Sequence, residues 1–273
     1  KLDESSVSES EPSKPLPPAQ LIDGETLAKR LSHCNDTHHM AELRTILAEA
    51  NSTLNECYRQ NLDISDIVSS RAHLVDLVLD WVWSSHPELQ TNEIALAAVG
   101  GYGRSELMPY SDIDLLILTK KNSNRSYKEA IASFLATCWD LGLDIGQSVR
   151  SVKQCAQEAR KDISVATALM ESRAIAGSTE LLPLMTAATT TGKVWPTKAF
   201  LKAKVEEQKG RHAKYHDVDY ALEPNVKNSP GGLRDIQTIA WVTKRHFGAE
   251  SFHDLTELGF LKPSEEAMIH KGQ

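Results

Sequence analysis

Two aspartates, Asp112 and Asp114, stand two residues apart at the start of an apolar run that ends at Leu118. Because side chains alternate along a strand, this spacing puts both carboxylates on the same face of the strand. Two like charges at such a place are costly unless a cation compensates them. The pattern therefore predicts a site for divalent cations of the kind used in phosphoryl transfer, and Mg²⁺ suits it because Mg²⁺ accepts substrate phosphates into its coordination shell.

Two glycines, Gly100 and Gly101, follow an earlier apolar run, and ten residues separate Gly101 from Asp112. Their backbone amides can approach a triphosphate closely because no side chain intervenes. Arg104 can neutralise phosphate charge, and Ser111 can cap the turn or donate to a phosphate. A glycine pair alone is usually a loop signal and Asp-x-Asp alone is usually solvated, but their combination between two apolar strands favours a phosphate site.

The surrounding sequence predicts the elements that position these residues. Apolar residues at helical spacing predict helices, and short apolar runs predict strands. Their order indicates an α+β fold, in which a small mixed β-sheet is flanked by helices and followed by a helical domain. The predicted helices cover residues 40–50, 66–86, 127–142, 152–160, 163–174, 196–215 and 235–247, and the predicted strands cover residues 94–99, 113–118 and 143–150.

The chain divides into three predicted segments. Residues 1–20 hold five serines and four prolines with almost nothing to bury, which predicts a disordered leader without chemistry. Residues 21–150 are predicted to form the sheet domain with its N-terminal helices. Residues 151–273 are predicted to form the helical domain that closes the cleft.

Composition excludes several classes of protein. The net charge of −7 disfavours a general nucleic-acid-binding role, because such proteins usually carry a basic surplus. No apolar run approaches the ~18 residues of a membrane span, and no signal segment opens the chain. The four cysteines lie far apart, which favours free thiols in a reducing cytosol over disulfides or structural zinc. We therefore predict a cytoplasmic protein without a nucleic-acid or membrane partner.

The glycine turn and the paired acids resemble the signature of the nucleotidyltransferase superfamily of DNA polymerase β. The detailed pattern Gly-Gly-Tyr-Gly-Arg at residues 100–104, with Glu106, Leu107 and Pro109, resembles more narrowly the bifunctional PII uridylyltransferase/uridylyl-removing enzymes of bacterial nitrogen control. A second motif supports the same family. It comprises Leu-Glu-Pro-Asn at residues 222–225, Pro-Gly-Gly-Leu-Arg-Asp-Ile-Gln at residues 230–237, Trp241 and His-Phe-Gly at residues 246–248.

This resemblance implies that UMP is transferred from UTP to a tyrosine hydroxyl of the nitrogen regulatory protein PII, with release of pyrophosphate. It implies that Asp112 and Asp114 hold Mg²⁺ and are catalytic, and that the phosphates of the nucleotide are positioned by Gly100, Gly101 and Arg104. In the family, an HD-type domain that removes UMP and two ACT domains that sense glutamine follow this region. We expect both functions to lie outside this chain.

Sites of the polymerase β type often use a third carboxylate on a later strand, and Asp144 is the candidate here. In the predicted strand 143–150 it shares a face with Ser148 and Arg150, while the position two residues further along is Gly146. The alternative is that Asp144 merely flanks a helix-to-strand turn.

Weaker signals remain open. The basic run 196–216 is typical of a solvated helix face, with a contribution to UTP or PII binding as the alternative. Asp235 can cap the helix that follows it, or Arg234 and the neighbouring glycines can line the nucleotide cleft. The His-Asp pairs at residues 216–217 and 253–254 are expected to be chance dipeptides. The tryptophans on predicted helices are expected in the core: Trp81, Trp83, Trp139 and Trp241.

Two rival functions are left by the sequence. One is another protein-modifying nucleotidyltransferase, such as the adenylyltransferase that acts on glutamine synthetase. The other is a catalytically silent nucleotide-binding regulatory module. The choice of nucleotide and acceptor separates the first rival from a uridylyltransferase, and turnover separates the second.

Overall fold

A computed structural model of the chain describes residues 22–35, 38–120, 127–214, 225–248 and 252–272. The predicted disordered leader, residues 1–20, lies outside these described residues. So does the first of the two His-Asp pairs, at residues 216–217.

The centre of the fold is a mixed sheet, as the sequence predicts, but it has four strands where the sequence predicts three. Its strands are β1 (Ile94–Ala98), β2 (Ile113–Thr119), β3 (Ile145–Ser151) and β4 (Arg173–Gly177), in the order β3-β2-β1-β4. Strand β1 runs antiparallel to both β2 and β4, whereas β2 and β3 are parallel. The two central strands are almost continuously apolar because helices cover both of their faces.

The N-terminal helices cover one face of the sheet. They are α1 (Gly24–Ser32), α2 (His39–Arg59) and α3 (Ile64–Ser84), joined by α5 (Lys128–Asp140), which connects the parallel strands. The odd-numbered residues of β2 point into this layer, where Leu115 and Ile117 share a buried core with Trp83 and Phe134. Side-chain alternation along β2 therefore places its odd-numbered residues in the hydrophobic core on this face of the sheet.

The opposite face of the sheet packs on α6 (Val152–Lys161), α7 (Ile163–Met170) and α8 (Leu181–Ala188). Leu116 and Leu118 of β2 contact this second core, together with Cys155 and Met185. Asp112 and Asp114 precede them in the same even-numbered series. The predicted acids thus lie at the open end of the face that α6, α7 and α8 cover.

Strand β4 was not predicted. The sequence predicts a helix over residues 163–174, but α7 ends at Met170 and the chain then forms an edge strand beside β1. The run Arg-Ala-Ile-Ala-Gly is short and is only partly buried, so its apolar pattern does not distinguish a strand from a helix end. The sheet consequently extends past residue 150, where the sequence places the domain boundary.

The rest of the chain is helical, with α9 (Thr197–Lys214), α10 (Leu233–Phe247), α11 (Phe252–Glu257) and α12 (Pro263–Gly272). Helix α10 ends at Gly248, whose φ of 71° gives the left-handed cap that a glycine favours. Trp83 and Trp241 are buried as predicted, but Trp139 is 54% exposed, so its assignment to the core is wrong. It occupies the outward face of α5, which helical spacing alone does not identify.

All four cysteines are free, and three of them are buried. Among the helices that the structure describes, none has the length and apolar character needed to span a membrane.

Candidate active site

The predicted glycine turn forms the helical turn α4 (Gly100–Gly103) immediately after β1. Gly100 has a φ of +62°, a conformation that L side chains rarely adopt. A Cβ on this residue would lie 3.4 Å from Oδ2 of Asp114, so the turn and the second acid are direct neighbours. The structure therefore brings together the two halves of the predicted motif.

The side chains of Asp112 and Asp114 converge on one point beside β3. Gly146 pairs with Asp114 in the parallel ladder. A Cβ on Gly146 would lie 2.9 Å from Oδ1 of Asp114 and 3.3 Å from Oδ2 of Asp112. Any other residue at this position would crowd both carboxylates, so the glycine keeps the space between them open.

The electrostatics of this pair match a site for a cation. The pKa of Asp114 is raised by its burial and by the neighbouring charge of Asp112, whereas the positive charge of Lys227 acts to lower it. Within the described part of the chain, no lysine, arginine or histidine forms an ion pair with either carboxylate. Two converging carboxylates with room between them are a donor set that fits Mg²⁺, which takes few protein ligands and completes its shell with water and phosphate.

Asp144 and Ser111 lie apart from this point. The backbone oxygen of Asp144, the residue before β3, accepts a 2.7 Å hydrogen bond from the N–H of Ile113, the first residue of β2. The exposed side chains of Asp144 and Ser111 line a cavity of about 450 Å³ against α2 and α3, where Arg71 also lies. In the described residues, no three acid, histidine or cysteine side chains form a metal-binding group, so Asp144 does not join the other two carboxylates in this conformation.

Arg104, predicted to contact phosphates, is held by two acids. Its guanidinium donates to Glu106 at 2.6 and 2.9 Å and to Glu171 at 2.6 Å. Burial alone would lower the pKa of Arg104, but these carboxylates raise it. The turn packs closely here, because a Cβ on Gly103 would overlap the backbone oxygen of Glu171 at 1.6 Å.

A chain of contacts continues from Arg104 to the second motif. Glu171 accepts a hydrogen bond from the indole Nε1 of Trp241 on α10. The guanidinium carbon of Arg234 lies 5.3 Å from the centre of the Trp241 ring, and Nζ of Lys204 lies 4.4 Å from it. The second motif is thus linked to Arg104 through Glu171, although Trp241 and Arg104 lie more than a hundred residues apart in the chain.

Asp235, at the start of α10, is a structural carboxylate. It accepts hydrogen bonds from Arg211 at 2.5 Å, from Gln208 at 2.9 Å, from the N–H of Gly231 at 2.8 Å and from a ring nitrogen of His212 at 3.0 Å. Helix α10 begins at Leu233 with Gly232 as its N-cap and without a side-chain capping bond, so the interpretation of Asp235 as the cap is wrong. The bond from Gly231 instead fixes the chain just ahead of the helix. The remaining partners all come from α9 and hold the two helices together.

The basic run 196–216 is not simply a solvated face. Lys204 and Arg211 have side chains only 4% and 9% exposed, and both pair with Glu207. The sequence does not show this, because the acids that bury them are interleaved in the same helix or lie on α10. His253 of the other His-Asp pair is exposed on α11 and contacts Glu257 and Glu266.

Sequence reasoning missed Lys227, Glu171 and Trp241 as neighbours of the site. Lys227 lies between residues 222–225 and 230–237, the first two parts of the second motif. A basic residue four positions before the glycine pair is therefore a signal that the sequence offers. Glu171 has no signal of its own, since it follows an ordinary apolar helix. Its role as a link depends on the fold.

Comparisons with known proteins agree with this geometry. A family model described as a nucleotidyltransferase domain matches residues 79–167, and one described as GlnD PII-uridylyltransferase matches residues 199–273. Proteins named bifunctional uridylyltransferase/uridylyl-removing enzyme, from Pseudomonas syringae pv. syringae, Ectopseudomonas mendocina and Stutzerimonas stutzeri, are 49%, 48% and 47% identical to the chain over 234 residues.

These alignments cover 86% of this chain but 26% of each relative, so the chain spans about a quarter of the length of the curated relatives it matches. The nucleotidyltransferase model includes the glycine turn and both converging aspartates. The chain is therefore a homologue of part of the bifunctional uridylyltransferase/uridylyl-removing enzymes, and it contains a nucleotidyltransferase domain.

Proposed function

We propose that this chain transfers UMP from UTP to a tyrosine hydroxyl of the nitrogen regulatory protein PII. The observation that carries the proposal is the convergence of Asp112 and Asp114 beside the turn that begins at Gly100. The names of the relatives and the description of the matching family model support UTP as donor and PII as acceptor. Both partners, and a cytoplasmic location, belong to the proposal.

The reaction requires that the tyrosine oxygen attack the α-phosphorus of UTP. One O–P bond forms, the bond from the α-phosphorus to the bridging oxygen breaks, pyrophosphate leaves and the hydroxyl proton is released. Alignment of attacking and leaving oxygens, with neutralisation of phosphate charge, provides most of the rate enhancement in such transfers.

Asp112 and Asp114 would hold Mg²⁺ in this scheme, in the space that Gly146 leaves open between them. When bound, Mg²⁺ neutralises charge on the phosphates and favours the attack of the hydroxyl oxygen. The two carboxylates would hold it in a defined place, because Asp114 lies on β2 and Asp112 directly precedes that strand, which is paired on both sides.

The backbone of Gly100 and Gly101 would contact the phosphates, since neither residue presents a side chain beside Asp114. Arg104 adds positive charge next to Gly101, although its guanidinium is already bound to acids in the structure. We propose Ser111 as a further contact with phosphate and Asp144 as a third carboxylate, since both lie at the end of β2 and β3 where Asp112 stands. Asp144 would have to move toward the other two carboxylates, because the structure places it apart from them.

The proposal is tested by incubating the chain with PII, Mg²⁺ and either UTP or ATP labelled at the α-phosphate. We expect PII to become labelled when the donor is UTP and to stay unlabelled when the donor is ATP. Label transferred from ATP would contradict the choice of nucleotide and indicate an adenylyltransferase. Binding of UTP without transfer to PII would contradict the activity and indicate a silent regulatory module.

A further inference from the structure

At the start of α10, the positively charged side chain of Arg234 lies near the glycine turn and forms no ion pair with an acid among the described residues. The side chain of Arg234 is partly buried against Trp241. Its pKa is lowered by this burial and by the positive charge of Arg104, while Glu171 and Glu207 act in the opposite direction from beyond ion-pair distance. Buried charge of this kind is costly until an anion compensates it.

Arg104 and Arg234 differ in what already binds them. Arg104 donates to two carboxylates through three nitrogens. Arg234, among the residues that the structure describes, contacts only an aromatic ring with its guanidinium. A guanidinium without an acid partner is the better placed of the two to form forked hydrogen bonds with phosphate oxygens.

Lys227 is a second such cation, and its backbone is held in place. Its N–H donates to the side chain of Asn225 at 3.1 Å, and its carbonyl oxygen accepts from the N–H of Arg234 at 2.9 Å. Arg211 donates to the next carbonyl, that of Asn228, at 2.8 Å. The side chain of Lys227 is exposed, and its positive charge acts to lower the pKa of Asp114.

We propose that Lys227 and Arg234 bind the phosphates of the nucleoside triphosphate beside Asp112 and Asp114. The second motif then supplies the cations that Arg104, held by two acids, does not. The backbone N–H groups at the start of α10 take no part, because those of Leu233 and Arg234 already donate to Val226 and Lys227. The inference rests on the proposed function for the place where the nucleotide binds.

The experiment measures binding of inorganic tripolyphosphate, in the presence of Mg²⁺, by calorimetry on the 273-residue chain. Tripolyphosphate has no base, so its binding is independent of the preference for UTP. The variants are Lys227→Gln and Arg234→Gln, and the control is Lys202→Gln on the exposed face of α9, where the side chain is 79% exposed. Each test variant is expected to weaken binding roughly tenfold or more, with the control unchanged.

Equal binding by the wild type and both test variants would overturn the inference, as would an equal loss in the control. Because Arg234 packs on Trp241, its variant is also checked by thermal unfolding. If Arg234→Gln unfolds, the exposed Lys227 still decides the outcome. Tight tripolyphosphate binding that depends on both cations, combined with no preference for UTP, would support the inference while contradicting the proposed nucleotide.

Discussion

Asp114 and Asp235 are partly buried carboxylates in opposite environments. Asp235 receives hydrogen bonds from four groups, and its pKa is lowered by Arg211 and Gln208 in spite of its burial. Asp114 faces another aspartate, and its pKa is raised. A carboxylate that the protein satisfies by itself stabilises the fold, whereas a carboxylate left facing a like charge is held available for a ligand.

The largest effect is expected from Asp114→Asn or Asp112→Asn. Each variant loses a proposed metal ligand, so transfer of UMP to PII should fall by roughly a thousandfold or more. The free energy of unfolding should not fall, because among the described residues no group donates a hydrogen bond to these carboxylates, and the like-charge repulsion is relieved. Initial rates and urea unfolding check both statements.

The matched control is Asp140→Asn, a substitution at an exposed acid on α5 outside the site. It should transfer UMP at the wild-type rate. Wild-type turnover in either variant of the paired aspartates would refute their assignment to the reaction.

The opposite result is expected from Asp235→Asn. Loss of this charge leaves Arg211, 9% exposed, with Glu207 at 3.5 Å as its one acidic partner in the described part of the chain, so the free energy of unfolding should fall by about 3 kcal/mol. Urea unfolding measures the change. Glu206→Gln, which removes an exposed pair with Lys202 at 4.0 Å, is the control and should change stability by less than about 0.5 kcal/mol. Similar stabilities of the two variants would contradict a structural role for Asp235.

A smaller effect is expected from Gly146→Ala, which places a methyl group against the carboxylates of Asp112 and Asp114, the two proposed metal ligands. We expect transfer to fall roughly tenfold and the Mg²⁺ concentration for half-maximal rate to rise, because both side chains must move to admit the methyl group. Gly210→Ala on α9 is the control, since a Cβ there meets no atom within 4 Å. If Gly146→Ala keeps the wild-type Mg²⁺ dependence, the space beside Gly146 is not the metal site.

The smallest effect is a difference in pH dependence. Because the pKa of Asp235 is lower in the folded chain than its usual value of 3.8, its contribution to stability is complete above that value and is lost as pH falls through the lowered pKa. The stability difference between the wild type and Asp235→Asn should therefore be full at pH 7 and shrink at strongly acidic pH. Urea unfolding across this range measures it, and a constant difference would show that the charge of Asp235 is not what stabilises α9 against α10.

The comparison also shows where sequence reasoning worked. The turn and the paired acids lie within one short stretch, and strand alternation forces both carboxylates to one face. The mixed sheet is confirmed because its central strands are short, almost continuously apolar runs that local spacing identifies. The edge strand β4 was missed because a short, half-buried strand has no such pattern.

The sequence by itself determined the motif, the class of fold and the family, because each depends on residue types at short spacing. Only the tertiary structure decided that Gly146 leaves space between the carboxylates of Asp112 and Asp114, and that the guanidinium of Arg104 is bound by two acids. It also placed Lys227 and Arg234 near the site. These relations join residues far apart in the chain. Their distances are set by the packing of α7 on the sheet, of α9 on α7 and of α10 on α9, which no local pattern encodes.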